Sequence, residues 1–278
     1  MSNKRAVPIF CLLLLLFLPG LGKAEKFSLK LSGGMSCLLM GDINKGIKGI
    51  IDAWNDFIVS QGSYVRGEVK LLHLSYDLEG TVIINLTPKI GIGFGVGYIK
   101  GTKTSEITSS GSIEGIYTNN LKIQAIPFML GVFYTLPIRE RINVFFNAGV
   151  GIYLAQCNYD CGFIGDLIGT LPVHVKSSSE GLGFHGGVEF EFRLASNLSF
   201  VFEGQGRYVK IGGFEGTVSD YPWPNSSEGT IYYYEETTIT GTYPMIGIFE
   251  NKPPFPKIRE ARVDFSGITF LAGIKIKL

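Results

Sequence analysis

The chain has 278 residues and carries 25 Lys+Arg against 24 Asp+Glu, a formal charge of +1. That balance excludes the basic footprint of a nucleic-acid partner. With 37 glycines, 20 phenylalanines, 13 tyrosines and only 18% charged residues, the composition leans toward β structure.

The first residues read as an export signal. Lys4 and Arg5 precede an apolar run from Ala6 to Leu18, Pro19 and Gly20 break it, and Gly22-Lys23-Ala24 offers small residues before a cut after Ala24. The run is shorter than the roughly 20 apolar residues of a spanning helix. The predicted organisation is a signal peptide over 1–24 and one β-barrel domain over 25–278. No later segment holds 18 consecutive apolar residues, so the mature chain offers no spanning helix.

Eight stretches then alternate with period two, the mark of strands. They run over Phe27–Met40, His73–Leu86, Ile90–Lys100, Leu121–Thr135, Ile142–Ala155, Gly183–Leu194, Leu198–Lys210 and a last one ending at Leu278. One face of each is apolar. In the first, Phe27, Leu29, Leu31, Met35, Cys37 and Leu39 oppose Ser28, Lys30, Ser32 and Ser36. In the third, Ile90, Ile92, Phe94, Val96 and Tyr98 oppose Gly91, Gly93, Gly95 and Gly97.

The connections alternate in length. Thr87–Lys89, Leu136–Arg141 and Ala195–Asn197 are short, whereas Gly41–Leu72, Gly101–Asn120, Gln156–Leu182 and Ile211–Glu260 are long. A soluble β-sandwich, the alternative for a secreted chain, has no reason to gather every long loop at one end. An even-stranded barrel in an outer membrane does, with short periplasmic turns and long outer loops. The fold class expected is all-β, an eight-stranded antiparallel transmembrane β-barrel. The strand-like run Thr230–Ile248 gives ten strands as the alternative count.

In such a barrel the polar faces line a lumen just wide enough for side chains to fill. Asp77, Glu79, Glu189, Glu191 and Glu203 then face Arg193, Arg207, Lys275 and Lys277, and a mixed set of both signs suits buried pairing. The strand glycines make room for larger side chains across the lumen.

In the first long loop, Ile47, Ile50, Ile51, Trp54, Phe57 and Ile58 recur at helical spacing. This predicts an amphipathic helix packed on the other outer loops. A cap on the barrel mouth and a helix at the membrane surface are the other placements. The last loop holds Tyr221-Pro-Trp-Pro224 and Ile231-Tyr-Tyr-Tyr234, aromatic runs of a kind that binds surface partners. Of the three mature cysteines, Cys157 and Cys161 are near enough in sequence to close a small disulfide loop, and Cys37 is left over.

The segments Gly91-Ile-Gly-Phe-Gly-Val-Gly-Tyr98 and Phe145-Phe-Asn-Ala-Gly-Val-Gly-Ile-Tyr153, with a closing strand at the last residue, resemble the small outer-membrane barrels grouped with opacity proteins and outer-membrane protein W. The resemblance covers nearly all of the mature chain. It departs in ending on Leu278, where such proteins commonly end in an aromatic residue. It implies an outer-membrane location and a function among adhesins, stress-related surface proteins and narrow channels for small apolar solutes.

The carboxylates Glu189, Glu191 and Glu203 sit at strand spacing beside Arg193 and Arg207, which reads as a salt-bridge network rather than a catalytic pair. His73, His174 and His185 are scattered, and the sequence groups no acid–His pair at a rim. The chain is therefore expected to be no enzyme, with no metal and no cofactor. Its partners are outer-membrane lipid and either surface ligands or small apolar solutes. A crowded lumen favours surface display, whereas an apolar vestibule built from Trp54, Phe57, Met129 and Phe133 favours passage of apolar solutes.

Overall fold

The structure, a computed structural model, describes residues 27–165, 169–220 and 226–278. The export segment read over 1–24 and the aromatic run Tyr221–Pro224 lie outside these residues.

Eight strands close into a ring. They are β1 (Phe27–Leu38), β3 (Leu74–Asn85), β4 (Ile90–Ser110), β5 (Gly115–Arg139), β6 (Ile142–Gly165), β7 (Gly169–Arg193), β8 (Leu198–Ile211) and β14 (Gly267–Lys277). Each pairs antiparallel with its neighbours in the order β1-β3-β4-β5-β6-β7-β8-β14, and β14 returns to β1 from Ser28↔Lys277 to Leu38↔Gly267. Leu278 N–H donates to the Phe27 carbonyl at 2.9 Å, so the chain's last residue fastens the seam.

The ring is inside-out. Along β1, Ser28, Lys30, Ser32 and Ser36 are buried while Leu31, Met35 and Cys37 are exposed. The pattern repeats around the wall. Phe146, Val150, Ile152 and Leu154 on β6, Phe184 and Phe190 on β7, and Phe270 and Ile274 on β14 all face outward. A soluble sandwich would bury this face. A contiguous apolar exterior on a closed sheet needs lipid around it, and closure satisfies the backbone groups that hydrocarbon leaves without water. The soluble secreted alternative is therefore set aside.

Three connections are tight, at residues 86–89, 140–141 and 194–197, and they share one end with the two chain ends of the ring. That end is periplasmic by the usual polarity of such barrels.

The opposite end differs from the sequence-based expectation. The long loops expected over Gly101–Asn120 and Gln156–Leu182 are mostly strand. The β4–β5 pairing runs without loss of antiparallel order from Ile90↔Tyr134 to Ser109↔Gly115, and β6–β7 from Ile142↔Phe192 to Gly165↔Gly169. At about 3.3 Å per residue the 25 residues of β5 are more than twice the 9–11 residues that cross a bilayer. The upper halves of β4 to β7 therefore stand clear of the membrane. Their exterior is polar there, with Thr102, Thr104, Glu106, Gln156 and Lys176 facing out. The outward face there carries few apolar residues, Ile116 and Ile164 among them, which breaks the alternation that marks the lower halves.

The remaining elements build an outer head. Helix α1 (Asp42–Ser60) and β2 (Tyr64–Gly67) fill the first connection. The last connection holds β9 (Glu215–Asp220), β10 (Ser226–Thr237), β11 (Thr242–Phe249), β12 (Arg259–Glu260) and β13 (Val263–Asp264). At the end of β8 the chain turns through Gly213, at φ 63°, a left-handed conformation that suits glycine. It then returns as β9 beside the upper part of β7, and β10 and β11 add outside it. The hairpin expected over Thr230–Ile248 thus forms, but as a branch off the ring. The barrel has eight strands, not ten.

The apolar belt makes a direct prediction. Val150→Arg, mid-belt on β6, should lower folding stability by ~2–4 kcal/mol, while Gln156→Arg, above the belt, should change it by less than ~0.5 kcal/mol. Urea titration of the refolded protein, read by heat-modifiable gel migration, checks this; equal effects at both positions would contradict the belt.

Candidate functional site

The lower lumen is filled by charge. Lys30 on β1 lies at its centre, with Glu203 of β8 at 2.6 Å and Glu79 of β3 and Glu189 of β7 each at 3.4 Å. Glu189 also meets Lys275 of β14 at 3.2 Å, and Glu191 meets Lys275 at 3.1 Å and Lys277 at 3.7 Å. One layer outward, Arg207 donates to Asp77 at 2.9 Å and to the Phe265 carbonyl at 3.1 Å. Ser36 donates to Asp77 at 2.7 Å.

Strand register explains why these groups need one another. Lys30 and Lys275 are direct cross-strand partners on β1 and β14, and Glu189 and Glu203 are direct partners on β7 and β8. Each like-charge pair would be destabilising by itself. Here the two pairs bind each other inside the wall of β7, β8, β14 and β1, and neighbouring hydroxyls and an amide donate to three of the carboxylates. Asn147 donates to Glu203 at 2.7 Å, Ser199 to Glu191 at 2.9 Å and Thr81 to Glu79 at 2.7 Å. Glu189 and Glu191 are 0% exposed and Lys30 is 1% exposed, so pairing is what makes their ionisation tolerable.

The wall facing them is small and aromatic. Phe133 of β5 lies over Gly93 of β4, where a β-carbon would sit 2.3 Å from the ring, and Met129 and Pro127 lie over Gly95 and Gly97 in the same way. The glycines thus make room for side chains of the adjacent strand. Only about 10 Å³ stays open around Lys30, Met129 and Phe133, roughly the space of one water.

Above the Arg207 layer the interior turns apolar. Ile99, Ile123, Ala125, Tyr153, Ala155, Cys157 and Val209 line it, and α1 fills it with Ile43, Ile47, Ile51 and Ile58. The helix is seated in the barrel mouth and packed on β11, so the mouth-cap and loop-packing placements hold together and the membrane-surface placement does not. Of the stripe seen in the sequence, Ile47, Ile51 and Ile58 are buried, while Ile50, Trp54 and Phe57 are partly buried. Trp54 meets Phe163 edge-on at 5.1 Å. The helix starts earlier than that stripe, and it includes two glycines, poor helix formers, that close contact requires. A β-carbon on Gly46 would lie 2.3 Å from the Ile246 side chain, and one on Gly49 1.7 Å from the Pro244 carbonyl oxygen. Asp42, at the first turn, is held by Arg259 and by the Arg262 N–H at 3.1 Å.

Several expectations need correction. The network expected from the sequence omits Lys30, which centres it, although its place on the polar face of the first strand is the available signal. Arg193 lines the periplasmic mouth with Lys277 but makes no ion pair among the described residues; its Nε is buried without a partner. Cys157 and Cys161 are not joined. They lie four residues apart on the continuous β6, opposite Ile123 and Asn119, and the strand rise holds their α-carbons ~13 Å apart, about twice the ~7 Å limit of a disulfide. Burial pushes the Cys157 thiol up to about 12, and Cys37 is exposed on the lipid side. The apolar vestibule does not assemble either, since Trp54 and Phe57 belong to the head whereas Met129 and Phe133 lie beside Lys30. An acid–His pair does exist at the rim: Asp160 meets His174 at 2.9 Å. The two are 14 residues apart in sequence and opposite one another in the β6–β7 ladder, so only strand pairing brings them together. Both side chains are about half exposed on the outward surface, where an ion pair contributes little.

No protein-family model matches the chain, and no curated protein matches it by sequence. Among the solved structures similar to this chain are two outer-membrane proteins. The outer membrane protein OprG from Pseudomonas aeruginosa matches at a TM-score of 0.42 and 12% identity, over 92% of this chain and 97% of its own. The outer membrane protease OmpT from Escherichia coli matches at a TM-score of 0.44 and 9% identity, over 94% and 99%. The inside-out ring, with its tight periplasmic turns and tall outer strands, makes this chain an outer-membrane β-barrel.

Two variants test the interior. Lys30→Met leaves three carboxylates around a neutral side chain and should lower stability by ~3–5 kcal/mol, with part of that recovered in Lys30→Met/Glu203→Gln. Denaturant titration with gel readout measures both, and an additive double variant would remove the coupling. Gly49→Leu should loosen the head by ~1–3 kcal/mol while leaving the belt folded, seen as faster protease cleavage in α1 with unchanged heat-modifiability.

Proposed function

We propose that this barrel is a closed scaffold whose work is done by its outer head, a surface-display protein that presents structured segments for adhesion or surface protection. The observation that carries this reading is the lumen itself. It is obstructed by the Lys30 and Lys275 network, again by the Arg207–Asp77 layer, and finally by α1 and the apolar packing around it. A passive pore keeps an aqueous path, and each of these layers removes one. The head is stiffened by the tall β4–β7 wall and by the β9–β11 branch, which leaves a broad polar exterior for contact with other molecules. No catalytic role is needed for this work.

A second reading has one specific observation in its favour. Between α1, β6, β7 and the β10–β11 hairpin lies a cavity of about 160 Å³ lined by Ile43, Ile50, Val175, Ile231 and Ile246. A dry apolar cavity of that size holds a small apolar molecule. It supports retention of such a solute in the head, above the charged layers, rather than its passage through them.

Planar-bilayer recordings of the refolded protein separate the readings. The scaffold reading expects no steady conductance in the wild type. It also expects none after Gly49→Leu, because the charged layers stay intact, and none when Lys30→Ala and Lys275→Ala are combined, because the Arg207–Asp77 layer and α1 still close the lumen. Steady wild-type openings blocked by an apolar solute would overturn it.

A further inference from the structure

The periplasmic mouth holds a second chamber that the scaffold reading does not use. It is a cavity of about 440 Å³ whose walls include Asn85, Asn143, Glu191, Arg193, Lys275 and Lys277. These residues sit at the short-turn ends of their strands. Asn85 closes β3, Asn143 is the second residue of β6, Arg193 closes β7 and Lys277 closes β14. The chamber is blind, because beyond Lys275 and Glu191 the lumen shrinks to the roughly 10 Å³ beside Lys30.

Its charge is unbalanced in one direction. The lumenal set as a whole is neutral, with Asp77, Glu79, Glu189, Glu191 and Glu203 against Lys30, Lys275, Lys277, Arg193 and Arg207. The pairing is uneven along the axis. Glu189 and Glu203 are drawn inward to Lys30, Asp77 is taken by Arg207, and among the described residues Glu191 is the sole side-chain carboxylate on the chamber wall, shared between Lys275 and Lys277. Arg193 is left over. Its Nε is buried with no acceptor, and its guanidinium makes no ion pair or hydrogen bond among the described residues. The Asn85 and Asn143 side chains also have no hydrogen-bond partner among them. A half-buried guanidinium with five donors and no acceptor, on a chamber wall that also carries a second cation and two unengaged amides, is an acceptor-seeking site. A planar oxyanion answers it, because a guanidinium fork binds carboxylate or phosphate oxygens in pairs. The volume falls within the roughly 300–1,000 Å³ of small-molecule sites.

We infer that the periplasmic mouth is a binding site for a small oxyanion group, carboxylate or phosphate, gripped by Arg193 with Lys277 and the Asn85 and Asn143 amides. The site opens inside the barrel end, away from the lipid-facing surface, so its ligand arrives from the periplasm. The two sources of that chemistry are free phosphate and the carboxylate end of a periplasmic peptide. In the second case the site ties the barrel's inner end to the material beneath the membrane.

The test is calorimetric titration of the refolded full chain in detergent with inorganic phosphate and, separately, with the dipeptide D-alanyl-D-alanine. One saturable site per barrel is expected with at least one of the two, weakened by 1 M salt through screening. Phosphate binding with an inert dipeptide identifies free phosphate as the ligand, and dipeptide binding identifies the peptide carboxylate. Arg193→Gln should weaken the binding about tenfold or more and Lys277→Gln about threefold, whereas Arg262→Gln in the outer head leaves it unchanged. Heat-modifiable migration checks folding. Lys277 sits at the exposed rim, with a side chain 25% exposed, so its variant carries the test should Arg193→Gln misfold. No saturable binding by either probe, or binding unchanged in both Arg193→Gln and Lys277→Gln, would overturn the proposal.

Discussion

Hydrocarbon gives a peptide group nothing to bond with, and most of this architecture follows from that constraint. Every N–H and C=O at membrane depth must find its partner within the sheet, so the sheet closes on itself. Lipid then occupies the outside and welcomes leucine, valine and phenylalanine without demanding a packed partner. Polar side chains at the same depth have one place left, the lumen. The inside-out burial along β1, where Lys30 is buried and Leu31 exposed, is the local expression of that rule.

The rule holds only as far as the membrane reaches. Where β4 to β7 rise beyond it, water replaces lipid on the outside and the chemistry of the two faces exchanges. The exterior becomes threonine, glutamine, lysine and glutamate, and the interior becomes isoleucine, tyrosine and alanine. The upper half is thus an ordinary hydrophobic core enclosed by a barrel wall. A hollow cylinder of that width needs an insert, and α1 supplies it. The close approach of Gly46 and Gly49 to β11 lets the helix and the outer hairpin share the space. The barrel therefore has two kinds of filling, ionic below and apolar above, and the Arg207–Asp77 layer marks the change.

The ionic filling works as a set rather than as separate pairs. Cross-strand register places like charges side by side on β1 and β14 and again on β7 and β8. Each pair is acceptable because the other is there. That arrangement fixes the register of four neighbouring strands as well as closing the lumen, since a slip by one residue would send these charges into lipid. A rigid, closed lower barrel is the base on which a tall outer head can be held in place.

What depends on local alternation is legible along the chain. Residues such as Leu130, Val150 and Phe190 repeat every second position, and that period sets the strands, their lipid-facing side, their number and the tight turns between them. The helix was legible at Ile47, Ile51 and Ile58 because its buried face recurs at helical spacing. Tertiary structure alone decided what depends on partners distant in the chain. The upper strands hide their period because their outward face is wet. Lys30 becomes the centre of the charge network only when Glu203, 173 residues away, is folded against it. Cys157 and Cys161 look adjacent in sequence but are held apart by an extended strand, whereas Asp160 and His174 look separate and are brought together by a ladder. Alternation is a property of neighbouring residues, written along the chain; pairing, plugging and charge balance are properties of which strand lies beside which, and only closure of the ring settles that.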